Sequence, residues 1–404
     1  MQRPLATTEP IYPDDPPASV RAWVDVDLDA VRRNAARLRA RAGVPLVAMV
    51  KADAYGIGML PVVRALGGQF RDELSPTPRE RAPWGYGVAT LEEATALRHA
   101  GCVDPVLCTT PLTLRELPEA RRWSVRPALH RPEDIVAWSA LRGGPWHLAI
   151  DTGMSRAGIR WDDVHSIALV LREHPPEGVF THFHSAELPD DSRVAQEARF
   201  AEARQTLGTA IPSTALIHTD NSAAIAMRGS SIGDLARPGI GLYGAAVLPS
   251  LPLEQVVHLR ARVVDVREVR DGESVSYDAT WRTSGTRRIA TVAMGYADGY
   301  RRGLSNCGVA IVRGSRVPVA GVVTMDMTML DVTDIAGGCF VGDVATFIGG
   351  DAADGLSTDS VAALAGLSPY ELLVGLKLRL PRRYFEATVD QTDSQTSHSS
   401  GAPA

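Results

Sequence analysis

The sequence predicts an α/β protein: a (β/α)8 barrel of the TIM type followed by a mostly β C-terminal domain. Three observations predict it. Up to about residue 245, short apolar runs suited to buried parallel strands alternate with amphipathic helical segments. Eight such runs fall within about 220 residues, the count and length of a barrel of this kind. After Leu251 the texture changes to valine-rich, alternating runs separated by Gly, Asp and Asn turns, which read as a β-domain of roughly 130 residues. At 404 residues the chain has room for both.

In order along the chain, residues 1–20 (MQRPLATTEPIYPDDPPASV) are polar and proline-rich and read as a flexible tail. A first strand near 22–27 precedes the barrel proper and is free to pair with the C-terminal domain. The candidate barrel strands are Leu46–Val50, Tyr86–Ala89, Pro105–Cys108, Ser124–Leu129, His147–Ile150, Gly178–Phe183, Ala215–His218 and Leu235–Ile240. Helical patterns such as Leu91–His99 and Trp161–Arg172 lie between them. The stretch Gln69–Pro83, charged and proline-bearing, reads as an exposed loop or insertion. A doubly wound open sheet is the second choice, but no GxGxxG opens any of these helices, which weakens a dinucleotide-binding version. In the second part the candidate strands are Val256–Val264, Arg288–Ala293, Val309–Val312, Val317–Val323, Met329–Val332 and Asp343–Ile348, closed by helices at Thr358–Leu364 and Pro369–Leu378. The division expected is therefore a barrel over 21–250, a β-domain over 251–388 and a polar, disordered tail over 389–404.

Composition narrows the function. With 42 basic and 47 acidic residues the formal charge is −5, which disfavours non-specific nucleic-acid binding. No apolar run approaches the ~18 residues of a spanning helix, so no membrane partner is expected. The N-terminus lacks a secretory apolar stretch, and the cytoplasm is the expected compartment. Cys102, Cys108, Cys307 and Cys339 show no CxxC or His-clustered spacing, so neither a disulfide framework nor a metal site is expected.

Polar and ionisable residues collect just after the barrel strands: Lys51, Arg156, His182 and His184, Asn221 and Ser222, and Arg237-Pro238-Gly239. In such a barrel these positions converge on one face. A lysine ending a buried strand is costly to desolvate as an ammonium, so its pKa falls and it can form a Schiff base. The competing reading is a lysine that emerges into solvent. Ser222 and the Gly239–Ile240 backbone follow strands seven and eight, where barrels commonly hold a phosphate. The alternative there is a helix N-cap at Ser222 and a simple turn at Arg237–Gly239. A Schiff-base lysine with a phosphate cradle points to pyridoxal 5′-phosphate.

The segment VKADAYGIG (Val50 to Gly58) resembles the cofactor-lysine motif of the alanine racemases, fold-type III enzymes that use pyridoxal 5′-phosphate. VDVDLDAVRRN, GVATLEEATALR, DTGMSRAGI, THFHSAE, HTDNSAA, ARPGIGLYG, VSYDATW, GYADGY, TMDM and YELL resemble family segments in family order, over roughly residues 20 to 385. The resemblance implies an isomerase, a homodimer with active sites shared between subunits, and an amino-acid substrate. It implies that Lys51 holds the cofactor, that Tyr55, Ser222, Gly239, Ile240 and Tyr370 bind its phosphate, with Asn221 beside them, and that Arg237 faces the pyridine nitrogen and His182 the ring. Arg156 would contact the substrate carboxylate, together with the partner subunit's Met325 and Asp326. The partner subunit's Tyr277 would be the second base opposite Lys51, and Tyr296 would line the entrance. Two bases on opposite faces suffice to racemise a Cα centre, provided nearby positive charge poises the tyrosine. Taken without the family, Tyr277 could be a strand aromatic, GYADGY a plain turn, and Met325 and Asp326 packing and a capped turn.

Departures from the family pattern gather on the substrate side. Ala149 stands where many members have a carbamylated lysine that holds the arginine equivalent to Arg156. Ile57 replaces a histidine, Val322, Thr324 and Met327 replace an arginine, a cysteine and a glutamine, and Asp278 replaces a glycine. The expected reaction is interconversion of L- and D-alanine. The alternatives are racemisation of serine or a non-proteinogenic amino acid, a decarboxylation or aldol reaction at Cα, and a non-catalytic cofactor carrier.

Overall fold

The computed structural model describes residues 16–17, 19–71, 81–245, 251–350 and 355–386. The chain opens on β1 (Ala22–Asp27) and α1 (Leu28–Ala42). Asp27 caps α1 by accepting the Ala30 N–H at 2.8 Å, and Gly43, left-handed at φ 71°, ends it. Leu28, Val31, Ala35 and Leu38 form the buried stripe of this helix.

The barrel elements follow: β2 (Val47–Met49), α2 (Lys51–Gly56), α3 (Met59–Ala65), β3 (Gly85–Val88), α4 (Leu91–His99), β4 (Val106–Cys108), α5 (Leu117–Arg122), β5 (Arg126–Leu129), α6 (Pro132–Ala140), β6 (His147–Asp151), β7 (Ile159–Arg160), α7 (Ala168–Glu173), β8 (Gly178–Phe180), α8 (Ser192–Leu207), β9 (Leu216–His218) and α9 (Ser222–Arg228). Strands β2, β3, β4, β5, β6, β8 and β9 pair in that order, all parallel, with β7 beside the end of β6. Leu235 and Ala236 act as the eighth strand, bridging His218 on one side and Leu46 on the other. The Val47 and Met49 N–H groups complete the closure on the carbonyls of Ala236 (2.8 Å) and Pro238 (3.0 Å).

The C-terminal part comprises β10 (Val257–Val269), β11 (Ser274–Val275), β12 (Trp281–Arg282), β13 (Arg287–Val292), β14 (Val309–Val312), β15 (Ser315–Pro318), β16 (Thr328–Asp331), β17 (Val344–Ile348), α10 (Thr358–Leu364), α11 (Pro369–Val374) and β18 (Arg382–Phe385). Its main sheet runs β15-β14-β17-β10-β1-β18, with β13 and β16 continuing from β10. Strand β1 therefore belongs to this sheet, antiparallel to β10 and parallel to β18. That pairing ties the start of the barrel to the end of the chain.

The expected fold class holds, and α4, α10 and β14 have the expected bounds. Several elements differ. The expected Val256–Val264 strand runs on to Val269, and the expected Leu235–Ile240 strand pairs only at Leu235 and Ala236 before a 3-10 turn at Ile240–Tyr243. Four more depart as follows. The expected Gly178–Phe183 strand pairs only to Phe180, which leaves Thr181, His182 and Phe183 beyond the sheet at the mouth. The run Val317–Val323 stops at Pro318 because Gly321 turns the chain at φ 84°. The segment Trp161–Arg172 is a 3-10 turn (Val164–Ile167) leading into α7, and the last helix ends at Val374 rather than Leu378. The expected tail at 389–404, most of 1–20 and the middle of 69–83 lie outside the described residues. Among the described residues no helix is long and apolar enough to cross a membrane.

Candidate active site

Lys51 begins α2 directly after β2, half-buried at the mouth of the barrel. Burial first, then the nearby Arg156 charge, lowers its pKa, while Glu93 opposes the shift. The backbone after it is unusual: Ala52, Asp53, Ala54 and Tyr55 are all left-handed, with φ between 52° and 57°. Each such non-glycine residue costs about 1–2 kcal/mol, so this turn persists only because its surroundings hold it. Glu93 accepts the Ala52 N–H at 2.6 Å while also completing the capping box of α4 with Thr90. Asp53 accepts the Met59 N–H at 2.7 Å. From the other end of the chain, Arg382 donates to the Gly56 carbonyl and Tyr384 to the Ile57 carbonyl.

Beside this turn lies a set of converging donors. The Ser222 hydroxyl accepts the N–H groups of Gly239 (2.9 Å) and Gly241 (3.2 Å). A Cβ on Gly239 would sit 2.2 Å from the Tyr55 hydroxyl. The absence of that carbon lets the Tyr55 hydroxyl approach the Gly239 backbone, so two hydroxyls and two backbone N–H groups lie close together. Burial and the neighbouring Tyr370 raise the Tyr55 pKa, so its hydroxyl stays a donor, and the two rings are 6.0 Å apart. Asn221, not Ser222, caps α9 by accepting the Ala224 N–H at 3.0 Å. The N-cap alternative for Ser222 is thereby excluded, and its hydroxyl is available to an anion. Such a cradle fits a phosphate.

Opposite stand Arg237 and His182. Arg237 is 4% exposed and donates to the carbonyls of His218 (2.6 Å), Thr181 (2.6 Å) and Thr219 (3.2 Å). Burial lowers its pKa to about 10, below the ordinary arginine range but still a permanent donor at neutral pH. Burial, then the charges of Arg237, Arg156 and Lys51, pushes His182 down to about 3. The ring is neutral, because burial and the charges of Arg237, Arg156 and Lys51 all disfavour its charged form. Arg156 is exposed, and among the described residues its guanidinium has no hydrogen-bond or ion-pair partner. It is free for a carboxylate.

Tyr277, Tyr296, Met325 and Asp326 lie elsewhere. The Ser276 hydroxyl donates to the Val322 carbonyl at 2.6 Å, and the Tyr296 N–H donates to the Thr324 carbonyl at 3.0 Å. These bonds tie the loops that carry Tyr277 and Tyr296 to the Val322–Asp326 segment. Tyr277 is 66% exposed and Met325 53%, which removes the packing alternatives within this chain. Among the described residues no hydrogen bond or ring contact joins this group to Lys51, Arg156, His182 or Arg237.

Residues 26–247 match the family described as alanine racemase, N-terminal domain, and residues 256–384 match alanine racemase, C-terminal domain. The chain belongs to the alanine racemase family. An alanine racemase of Citrifermentans bemidjiense is 36% identical over 385 residues, covering 90% of this chain and 98% of that protein. The crystal structure of alanine racemase from D-cycloserine-producing Streptomyces lavendulae superposes with a TM-score of 0.82 at 28% identity, over 92% of this chain and 98% of that one. That from Bartonella henselae, described with covalently bound pyridoxal phosphate, gives 0.80 at 26% identity, over 91% and 100%. These names favour alanine racemisation over the other Cα reactions and over a non-catalytic carrier.

Measured against the alanine racemase pattern, the departures other than Val322 have local structural accounts. Asp278 lies at φ 62°, a conformation that favours glycine and that aspartate tolerates better than most residues. Ile57 is fully buried in the core. Ala149 packs with Ala128 and Phe180 in a small apolar cluster. Thr324 closes a turn with Met327 through its hydroxyl at 2.8 Å. His184 is exposed and bonded to its neighbour Ser185, and Cys307 is an exposed free thiol. Sequence reasoning passed over Glu93, His147, Glu177, His218, Arg382 and Tyr384. For the two histidines a signal existed, an ionisable residue at one end of each of two apolar strands; for the others there was none.

Proposed function

We propose that the chain is a pyridoxal 5′-phosphate-dependent alanine racemase acting by two-base proton transfer, with the cofactor on a barrel over 21–250 and a β-domain over 251–388 that completes the site of a second copy. The observation that carries this reading is the convergence of a pKa-lowered Lys51, an unpartnered Arg156 and the Ser222–Gly239–Tyr55 cradle on one mouth.

Lys51 would hold the cofactor's aldehyde carbon, and Ser222, Tyr55, Tyr370 and the N–H groups of Gly239 and Ile240 its phosphate, next to the Asn221 cap. Bound there, pyridoxal phosphate would acidify the Cα–H of an attached amino acid. Arg237, a donor and not an acid at neutral pH, would bond the ring nitrogen without protonating it. His182, held neutral, would lie against the ring. Arg156 would bind the substrate carboxylate and set which face of Cα meets which base.

Lys51 would move the proton at one face, its lowered pKa making the neutral amine accessible. Tyr277, exposed on its own chain, would serve the opposite face in a second copy, with the partner subunit's Met325 and Asp326 at the substrate carboxylate and Tyr296 lining the entrance. The homodimer and the cytoplasmic location belong to this proposal. The test is to supply the protein with pyridoxal phosphate in D2O and screen L- and D-amino acids. Inversion of both alanine enantiomers with Cα deuterium uptake and no loss of carboxylate is expected. Loss of carboxylate or side chain, or no exchange at all, would refute it.

A further inference from the structure

Five side chains form a hydrogen-bonded chain through the barrel. Arg237 Nη1 donates to His218 Nδ1 at 2.8 Å, and His218 Nε2 lies 2.7 Å from His147 Nδ1. His147 Nε2 lies 3.2 Å from Glu177 Oε2, which also accepts Arg126 Nε at 2.6 Å. Arg237 stands at the strand ends that carry Lys51 and His182. Glu177 immediately precedes β8, and Arg126 is the first residue of β5, so the chain reaches from the mouth to the opposite face.

The donors and acceptors admit one order of protons. A guanidinium only donates, so His218 Nδ1 must be bare and His218 Nε2 must carry the hydrogen. That hydrogen points at His147 Nδ1, which must also be bare, so His147 carries its hydrogen on Nε2 and gives it to Glu177. Burial alone would raise the Glu177 pKa, but the bonds from His147 and Arg126 outweigh it and hold the carboxyl at about 2, an acceptor at neutral pH. The reversed order would set an N–H of His218 against an N–H of Arg237. Both rings are fully buried and neutral, burial pushing each pKa down.

The surroundings fix the rings as well as the protons. Phe180 stacks on His218 with centroids 4.9 Å apart and planes 11° apart. A Cβ on Gly178 would lie 2.5 Å from His147 Nδ1, so this strand position leaves room for the ring pair. Backbone carbonyls anchor Arg237 but accept from any guanidinium and impose no proton order. The order is held from both ends: Arg237, a donor only, disfavours an N–H at His218 Nδ1, and Glu177, the fixed acceptor at the far end, secures the hydrogen on His147 Nε2.

We infer that Glu177 is a positioning residue: by taking the last hydrogen of the chain it locks His147 and His218 in the tautomers that Arg237 requires and so keeps a lone pair aimed at that guanidinium. Its distance from the mouth is no obstacle, because each ring passes the constraint from one nitrogen to the other. The consequence for the cofactor rests on the function proposed above, since it assumes that Arg237 meets the pyridine nitrogen. The proton order itself does not.

The test uses the full chain with 15N-labelled histidine, His147 and His218 being assigned by the loss of signals in His147→Asn and His218→Asn. Without added cofactor, each ring is expected to show a protonated Nε2 and a bare Nδ1. Glu177→Gln keeps this order, since its amide oxygen still accepts, whereas Glu177→Leu brings in the second tautomer at both rings. A reversed order or an imidazolium at pH 7 in the unaltered chain overturns the proposal, whatever Glu177→Leu shows. So does a folded Glu177→Leu that keeps the original tautomers. With pyridoxal phosphate bound, Glu177→Leu is expected to shift the cofactor's absorption maximum and Glu177→Gln to restore it. An unshifted maximum in Glu177→Leu overturns the link to Arg237. Failure of the unaltered chain to bind pyridoxal phosphate would instead overturn the proposed function and leave the tautomer result standing.

Discussion

Tyr384 donates its hydroxyl to the Ile57 carbonyl at 2.8 Å, and the same oxygen lies 2.0 Å from the point a Cβ on Gly58 would occupy. The last strand of the chain thus fits against the turn that follows Lys51 only because residue 58 is glycine. Through β1, which pairs with β18, this contact joins the C-terminal sheet to the barrel mouth.

Gly58→Ala is expected to lose at least the ~1–2 kcal/mol that φ 109° costs an alanine, and more from the clash. Tyr384→Phe should lose about 1 kcal/mol for its hydrogen bond. The double variant removes the clashing oxygen, so its loss in urea unfolding should fall short of the sum. Strict additivity would mean that the two residues do not meet.

Ser222→Ala removes the acceptor shared by Gly239 and Gly241. Its pyridoxal phosphate Kd, read by equilibrium dialysis, should rise roughly tenfold, about 1.4 kcal/mol. An unchanged Kd would place the phosphate elsewhere.

Buried histidines make the fold acid-sensitive. Burial holds His130 at about 4, and His182 and His258 at about 3, against an ordinary 6.5. As pH falls the unfolded chain takes these protons first. The stability involved is therefore complete above pH 6.5 and is lost from there toward pH 3–4, at up to about 1.4 kcal/mol per pH unit for each group. Melting temperature should fall between pH 7 and 5, and His258→Gln, away from the mouth, should flatten that slope. A slope unaltered by His258→Gln would show that its ring is already charged in the fold.

Lys51→Ala and Tyr277→Phe should each abolish nearly all racemisation. Mixed from denaturant or co-expressed, they should regain about a quarter of normal activity, because half the dimers are mixed and each of these has one intact site. No recovery would place both bases in one chain.

Arg237→Glu would supply an acid where a donor now stands. Protonating the ring nitrogen strengthens the electron sink and lengthens the life of the carbanion. The ratio of transamination to racemisation should rise at least tenfold, about 1.4 kcal/mol in relative barriers, with a lower melting temperature from the lost bonds to Thr181, His218 and Thr219. An unchanged ratio, measured as pyruvate against inverted alanine, would count against a weak sink.

The pattern of apolar runs put a barrel ahead of a doubly wound sheet and displayed the change to a β-domain after Leu251 and the placing of Lys51 at a strand end, because burial in parallel strands leaves a period and a length that the chain itself displays. The motifs around Lys51, Arg156, Ser222 and Arg237 were legible for the same reason: each sits within a few residues of a strand terminus. Tertiary structure decided the rest. Ala52 to Tyr55 are not residues that choose a left-handed turn; Glu93, Arg382 and Tyr384 impose it from up to 327 positions away. Whether Asn221 or Ser222 capped α9 depended on the approach of Gly239 and Gly241. The pairing of His147 with His218 across β8 depended on closure of the sheet. Local sequence encodes hydrophobic periodicity and turn chemistry, but a backbone held against its own preference, or a proton held by a distant carboxylate, exists only once remote segments pack together.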